Sequence, residues 1–121
     1  MDIKIYGIKN CNSMKKAFSA LEDKGLEYEF IDYKNTPPSP AFLESLLGMH
    51  GAQGLESLVN TRGTTYRRLK QSGAIDGLGY ELIQNNPSLL KRPLVLVTIN
   101  GETRLLVGLE ALLASLDSMH G

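Results

Sequence analysis

The 121-residue chain carries 13 basic and 13 acidic side chains, so its formal net charge is zero; 42% of its residues are hydrophobic and 21% charged. That balance suits one domain with an ordinary core, excludes wholesale disorder, and argues against an electrostatically driven nucleic-acid binder. A single cysteine, Cys11, excludes an internal disulfide framework; with no apolar signal core and no bilayer-length apolar run, the chain is expected to be cytoplasmic, without a membrane partner.

Ile3 and Ile5 alternate with Asp2 and Lys4, which predicts a short opening strand ended by Gly7. Met14, Ala17, Phe18 and Leu21 then recur at helical spacing, and Gly25 stands where a helix C-terminal glycine belongs. Tyr28, Phe30 and Ile31 predict a second strand, so the first 33 residues read as a right-handed βαβ unit with parallel strands. Thr36-Pro37-Pro38-Ser39-Pro40 breaks the pattern. Ser39 is placed to cap a helix that has Pro40 at its first position and Phe42, Leu43, Leu46 and Leu47 on its apolar face. Helices are expected near residues 40–49, 64–72 and 79–85, with a loop over Gly51-Ala52-Gln53-Gly54.

The run from Leu94 to Ile99 is apolar and β-branched, as in a strand buried on both faces. Asn100-Gly101 predicts a hairpin turn, Thr103 to Val107 the returning strand, and Leu109, Leu112, Leu113 and Leu116 a closing helix. The order is β-α-β, a helical insert over about residues 37–88, then β-β-α. Without the insert this is the topology of a thioredoxin-like α/β fold with a mixed sheet, and the whole chain is expected to be one such domain.

Cys11 lies where the first strand runs into a helix, within the polar loop Gly7-Ile8-Lys9-Asn10-Cys11-Asn12. Ligands bind at the carboxyl ends of strands in α/β sheets, and the unpaired N–H groups of a helix start favour a thiolate. A helix terminus is worth about 0.3–1 kcal/mol, whereas one pKa unit corresponds to about 1.36 kcal/mol. Strong activation therefore needs cationic neighbours. Lys9, Lys15, Arg62 and Arg92 are the candidates, and Arg92 stands out because Arg92-Pro93 abuts the buried strand and arginine forks onto oxyanions. In a thioredoxin topology a proline at that place is cis, so Pro93 is expected to be cis. His50 and His120 show no metal-ligand spacing, and Arg67-Arg68-x-Lys70 reads as a solvated helix face.

Three separated stretches, Tyr6 to Ala17, Leu58 to Arg67 and Asn86 to Pro93, resemble the arsenate-reductase (ArsC) family, in its YffB branch, with the Spx-type regulators as relatives. The resemblance implies that Cys11 is the nucleophile and that Arg62 and Arg92 hold an oxyanion and lower the thiol pKa. Pro93 matches the cis-proline, and Asn10 and Asn12 complete the set expected to line the thiolate or glutathione site. It also implies glutathione as co-substrate and glutaredoxin as a resolving partner; no bound cofactor, no metal, no nucleic-acid partner and a monomer are expected.

Two departures shape the expected activity. Arsenate reductases proper carry a third arginine just after the last strand, where this chain reads Leu106-Val107-Gly108-Leu109, with Gly108 in its place. They also follow the cysteine with small hydroxylic residues, where this chain has Asn12-Ser13-Met14. Both changes thin the donors around a tetrahedral oxyanion, and neither harms a glutathione site. The expected function is thus a glutathione-dependent thiol oxidoreductase that forms a mixed disulfide at Cys11. Glutaredoxin-coupled arsenate reduction is the alternative. An Spx-like regulator binding RNA polymerase is the alternative of another class; such sensors carry Cys-x-x-Cys, and the fourth position here is Met14.

Overall fold

A computed structural model describes residues 1–9, 11–50 and 54–118. The chain divides into two compact units, Met1–Asp32 with Arg92–Gly121, and Tyr33–Lys91. The second unit is thus inserted into the first in sequence, over a slightly longer span than the expected 37–88.

The first unit is built on four strands, β1 (Asp2–Gly7), β2 (Glu29–Asp32), β3 (Leu94–Ile99) and β4 (Glu102–Val107), in the order β2-β1-β3-β4. β1 runs parallel to β2 and antiparallel to β3, with Tyr6 opposite both Ile31 and Leu94; β3 and β4 form the antiparallel hairpin. This mixed sheet with its helices is the expected thioredoxin-like α/β topology. Its hairpin turn has φ of 53° at Asn100 and 84° at Gly101, the paired positive angles that make Asn-Gly a strong hairpin signal.

Period-2 alternation puts Ile3, Ile5, Val95 and Val97 on one face of the sheet. There they join Met14, Ala17 and Leu21 of α1 (Asn12–Asp23) and Leu112 and Leu116 of α5 (Leu109–Ser118) in one core. Phe18 lies at the margin of this core, stacked on Tyr28 at 5.4 Å and edge-on to Phe30 at 5.1 Å. Leu113, expected on the buried stripe of α5, is instead 40% exposed. In β3, Leu94 and Val95 point to opposite faces and both are fully buried, but Leu96 and Thr98 are only half-buried, so two-sided burial is confined to the start of the strand.

α1 ends in a Schellman motif. The N–H of Leu26 donates to the carbonyl of Leu21 and that of Gly25 to Glu22, both at 3.0 Å, while Gly25 takes φ +68°.

In the second unit, α2 (Pro40–His50) begins as expected, with the N–H of Phe42 donating to Ser39 Oγ at 3.1 Å. α3 (Thr64–Ser72) and α4 (Tyr80–Asn85) follow within a residue of their expected bounds. Single 3₁₀ turns lie between α2 and α3 at Leu55–Leu58 and between α3 and α4 at Ala74–Gly77, and a third follows α4 at Pro87–Leu89. Of the expected loop at 51–54, residues 51–53 lie outside the described residues. Among the described residues, no helix is long and apolar enough to cross a membrane.

Candidate active site

Cys11 is the N-cap residue of α1, with φ −112° and ψ 137°, and its carbonyl accepts the first helical hydrogen bond, from Lys15 N–H at 3.1 Å. A residue at this position directs its side chain toward the free N–H groups of the first turn. Burial is the largest single influence on the thiol and raises its pKa. The backbone N–H groups of Met14 and Ser13 act in the opposite direction, followed by the charge of the Arg92 guanidinium and by its hydrogen bond. The lowering influences together prevail, and the pKa falls below the usual thiol value. Neither amide meets the geometry of a full capping hydrogen bond to sulfur, so their effect is that of dipoles aimed at a charge.

Arg92 reaches the sulfur because of strand register. Tyr6, at the carboxyl end of β1, pairs with Leu94, at the amino end of β3, so the residues before β3 lie beside the loop after β1. The Arg92–Pro93 peptide bond is cis, and the Pro93 carbonyl accepts a 2.8 Å hydrogen bond from Gly108 N–H. Gly108, with φ +91°, joins β4 to α5, so the place expected for a third arginine holds a residue in the left-handed region. Cys11 is partly exposed, and an attacking thiol must be accessible.

Cys11, Arg92 and Pro93 are thus brought together in the first unit. Asn12 is exposed as the first residue of α1; the backbone groups that act on the sulfur come from the next two residues instead. Lys9 and Lys15 are exposed, and Asn10 lies outside the described residues. The contribution of Ser13 and Met14 follows from their amides, so no side-chain signal in the sequence announces it.

Arg62 belongs to the second unit, where it occupies a tight turn. The N–H of Gly63 donates to the Asn60 carbonyl and the N–H of Arg62 to Asn60 Oδ1, each at 3.2 Å. Arg67 Nη2 donates to the Arg62 carbonyl at 3.2 Å. Behind the turn, Asn60 N–H donates to the Leu89 carbonyl at 2.7 Å and Lys91 N–H to the Leu58 carbonyl at 2.8 Å, flanking an antiparallel bridge of Val59 with Leu90. The Asn60–Gly63 motif and the Asn86–Lys91 stretch, far apart in sequence, are therefore held side by side. Arg67, Arg68 and Lys70 are exposed, as a solvated face requires, and Arg68 also donates to Asn86 Oδ1 at 3.3 Å.

Among the described residues, no group of three or more His, Cys, Asp or Glu side chains could hold a metal ion. The first-unit site thus offers a partly exposed thiol whose pKa is lowered in part by an arginine.

Residues 6–111 match the ArsC family. Among solved structures, a YffB protein is similar, with a TM-score of 0.72 and 32% identity over 94% of this chain and 98% of its own. An arsenate reductase of Neisseria meningitidis is 30% identical over 118 residues, 93% of this chain and 98% of that protein. The global transcriptional regulator Spx of Listeria innocua is 31% identical over 110 residues, 88% of this chain and 79% of that protein.

Proposed function

This chain belongs to the ArsC family, and on that premise we propose that it is a glutathione-dependent thiol oxidoreductase with Cys11 as nucleophile. The observation that carries the proposal is the pairing of the chain's only cysteine, at a helix N-cap, with Arg92 at a cis-proline bond. In the first step the Cys11 thiolate attacks the glutathione sulfur of a mixed disulfide, R–S–S–G. The S–S bond of that disulfide breaks, R–S⁻ leaves and takes up a proton, and Cys11–S–S–G forms. In the second, the thiolate of a free glutathione attacks the glutathione sulfur on Cys11. This forms glutathione disulfide and returns the Cys11 thiolate. The net exchange turns R–S–S–G and one free glutathione thiol into R–SH and glutathione disulfide, and the Cys11 thiolate is regenerated.

The chain's own groups supply three things. Arg92 steadies the thiolate as nucleophile and as leaving group, and its fork suits a glutathione carboxylate. The amides of the first turn of α1 add fixed positive potential. With no second cysteine, the chain cannot resolve the mixed disulfide internally, so resolution falls to an external thiol, glutathione or a glutaredoxin. The role of Arg62 as a second oxyanion or carboxylate clamp rests on the family resemblance, and Arg62→Ala tests it by a rise in KM for glutathione.

Arsenate reduction is the second reading, favoured by the Neisseria relative's name and weakened by Gly108. One experiment separates the two. The protein is assayed with glutathione and glutathione reductase, first on a glutathionylated peptide and then on arsenate with glutaredoxin added. The proposal expects turnover of the peptide that Cys11→Ser abolishes, and little or none with arsenate. Turnover of arsenate alone would replace the proposal with the second reading. Inactivity on both, with stable binding to an RNA polymerase subunit, would favour an Spx-like role.

A further inference from the structure

Met14 stands at the fourth position of Cys11-Asn12-Ser13-Met14, and its side chain is fully buried among Ile5, Ala17, Leu21 and Val95 in the core of the first unit. Gly7, at the end of β1, faces it directly. A Cβ built on Gly7 would come within 2.6 Å of Met14 Cε and 3.3 Å of its Cγ, and would press still harder on Sδ. Gly7 is not among the glycines with positive φ, so its backbone does not require glycine. What requires it is room for the thioether.

The first turn of α1 has few other restraints. Its N-cap makes no side-chain capping hydrogen bond, and no acidic residue occupies the turn. Asn12 and Lys15 are exposed, and Ser13 is half-buried. Met14 alone in that turn is driven into the core, and the amide it carries is one of the two that act on the Cys11 sulfur.

We propose that Met14 is a positioning residue for Cys11: its thioether, seated over Gly7, clamps the start of α1 to the end of β1 and so holds the leading amides on the sulfur. The inference rests on the reading of Cys11 as a reactive thiolate and deepens it. It also gives a physical meaning to the departure of Asn12-Ser13-Met14 from small hydroxylic residues. The chain gives up donors around the site and gains a packed anchor for the donors that remain.

The test measures the thiolate fraction of Cys11 by ultraviolet absorbance across pH in the intact chain. Met14→Ala and Gly7→Ala are compared with the wild type, with Met14→Leu, which keeps most of the volume, and with Val97→Ala. The last is a core truncation at the opposite end of the sheet, where Val97 pairs with Ile3. Helix-terminus interactions are worth about 0.3–1 kcal/mol, so loosening the turn should lower the thiolate fraction at neutral pH by roughly two- to fivefold in Met14→Ala and Gly7→Ala. Met14→Leu should restore most of it, and Val97→Ala should leave it unchanged while lowering thermal stability.

An unchanged titration in a folded Met14→Ala or Gly7→Ala protein would overturn the inference, as would an equal change in Val97→Ala. If the truncations do not fold, Met14→Leu against Met14→Gln decides: a titration common to both would overturn it. An ordinary thiol titration in the wild type itself would instead overturn the reading of Cys11 on which the inference stands.

Discussion

Replacing Arg92 with methionine keeps an apolar stem beside Cys11 and removes both the charge and the hydrogen-bond donors that lower the thiol pKa. Cys11 is partly exposed, so the charge acts through a screened medium and is worth roughly 0.2–1 kcal/mol, far below the low-dielectric limit. At a fixed pH below the titration midpoint that corresponds to a loss of thiolate of about 1.4- to fivefold. The alkylation rate falls less than this. A thiolate of higher pKa is intrinsically more nucleophilic, with a Brønsted slope of about 0.4–0.5, so roughly half of the logarithmic loss is returned. Measuring the iodoacetamide rate at one pH would thus understate the effect; the full pH profile is the assay. Arg92→Met should move its midpoint upward and raise the plateau at high pH. Arg92→Lys, which keeps the charge without the fork, should fall between. A profile for Arg92→Met superimposable on the wild type would refute the view that Arg92 activates the sulfur.

Three further outcomes follow from the same structure. The folded-state pKa of Cys11 is depressed, so its stabilising contribution is present above the unfolded thiol's pKa of about 8.5 and is lost as pH falls through the folded value. In urea denaturation under reducing conditions, Cys11→Ser should therefore fall progressively behind the wild type as pH rises toward 9; a pH-independent gap would contradict this. Ser39→Ala removes the cap bonded to Phe42 N–H and should cost about 0.5–2 kcal/mol, whereas Ser39→Asp should not. Gly101→Ala places a Cβ on a residue at φ +84° and should cost about 1–2 kcal/mol by urea denaturation.

Much of the fold was legible because its elements carry local signals. Ser39-Pro40 marks the start of α2, Gly25 the end of α1 and Asn100-Gly101 the hairpin, and each of these acts over a few residues. The 3₁₀ turns at Leu55–Leu58, Ala74–Gly77 and Pro87–Leu89 were not legible, since three or four residues cannot display a hydrophobic period. The exposure of Leu113 and the half-burial of Leu96 were hidden for another reason. An apolar residue in a stripe or run reports the tendency to be buried, and tertiary packing decides how wide the covered face is.

At the site, the cysteine, the arginine and the proline could be read directly, because each has a distinctive chemistry and a distinctive place. The contact of Met14 with Gly7 could not. It joins a strand end to a helix through the absence of a side chain, and Met14 by itself reads only as the first member of an apolar stripe. Lys9 and Lys15 are far nearer to Cys11 in sequence, yet Arg92 already stood out because it precedes Pro93 and the buried strand. What separates Arg92 is the antiparallel register of β1 with β3, which places the residues before Leu94 beside the loop after Tyr6.

The central claim is that Cys11 exchanges with glutathione and depends on an external thiol for release. Intact-mass spectrometry of the protein after brief exposure to glutathione disulfide at neutral pH tests this directly. The account predicts one glutathione per chain, mapped to Cys11, forming faster than on an unstructured cysteine peptide and removed by free glutathione. No adduct at Cys11, or one that forms no faster than on the peptide, would contradict it.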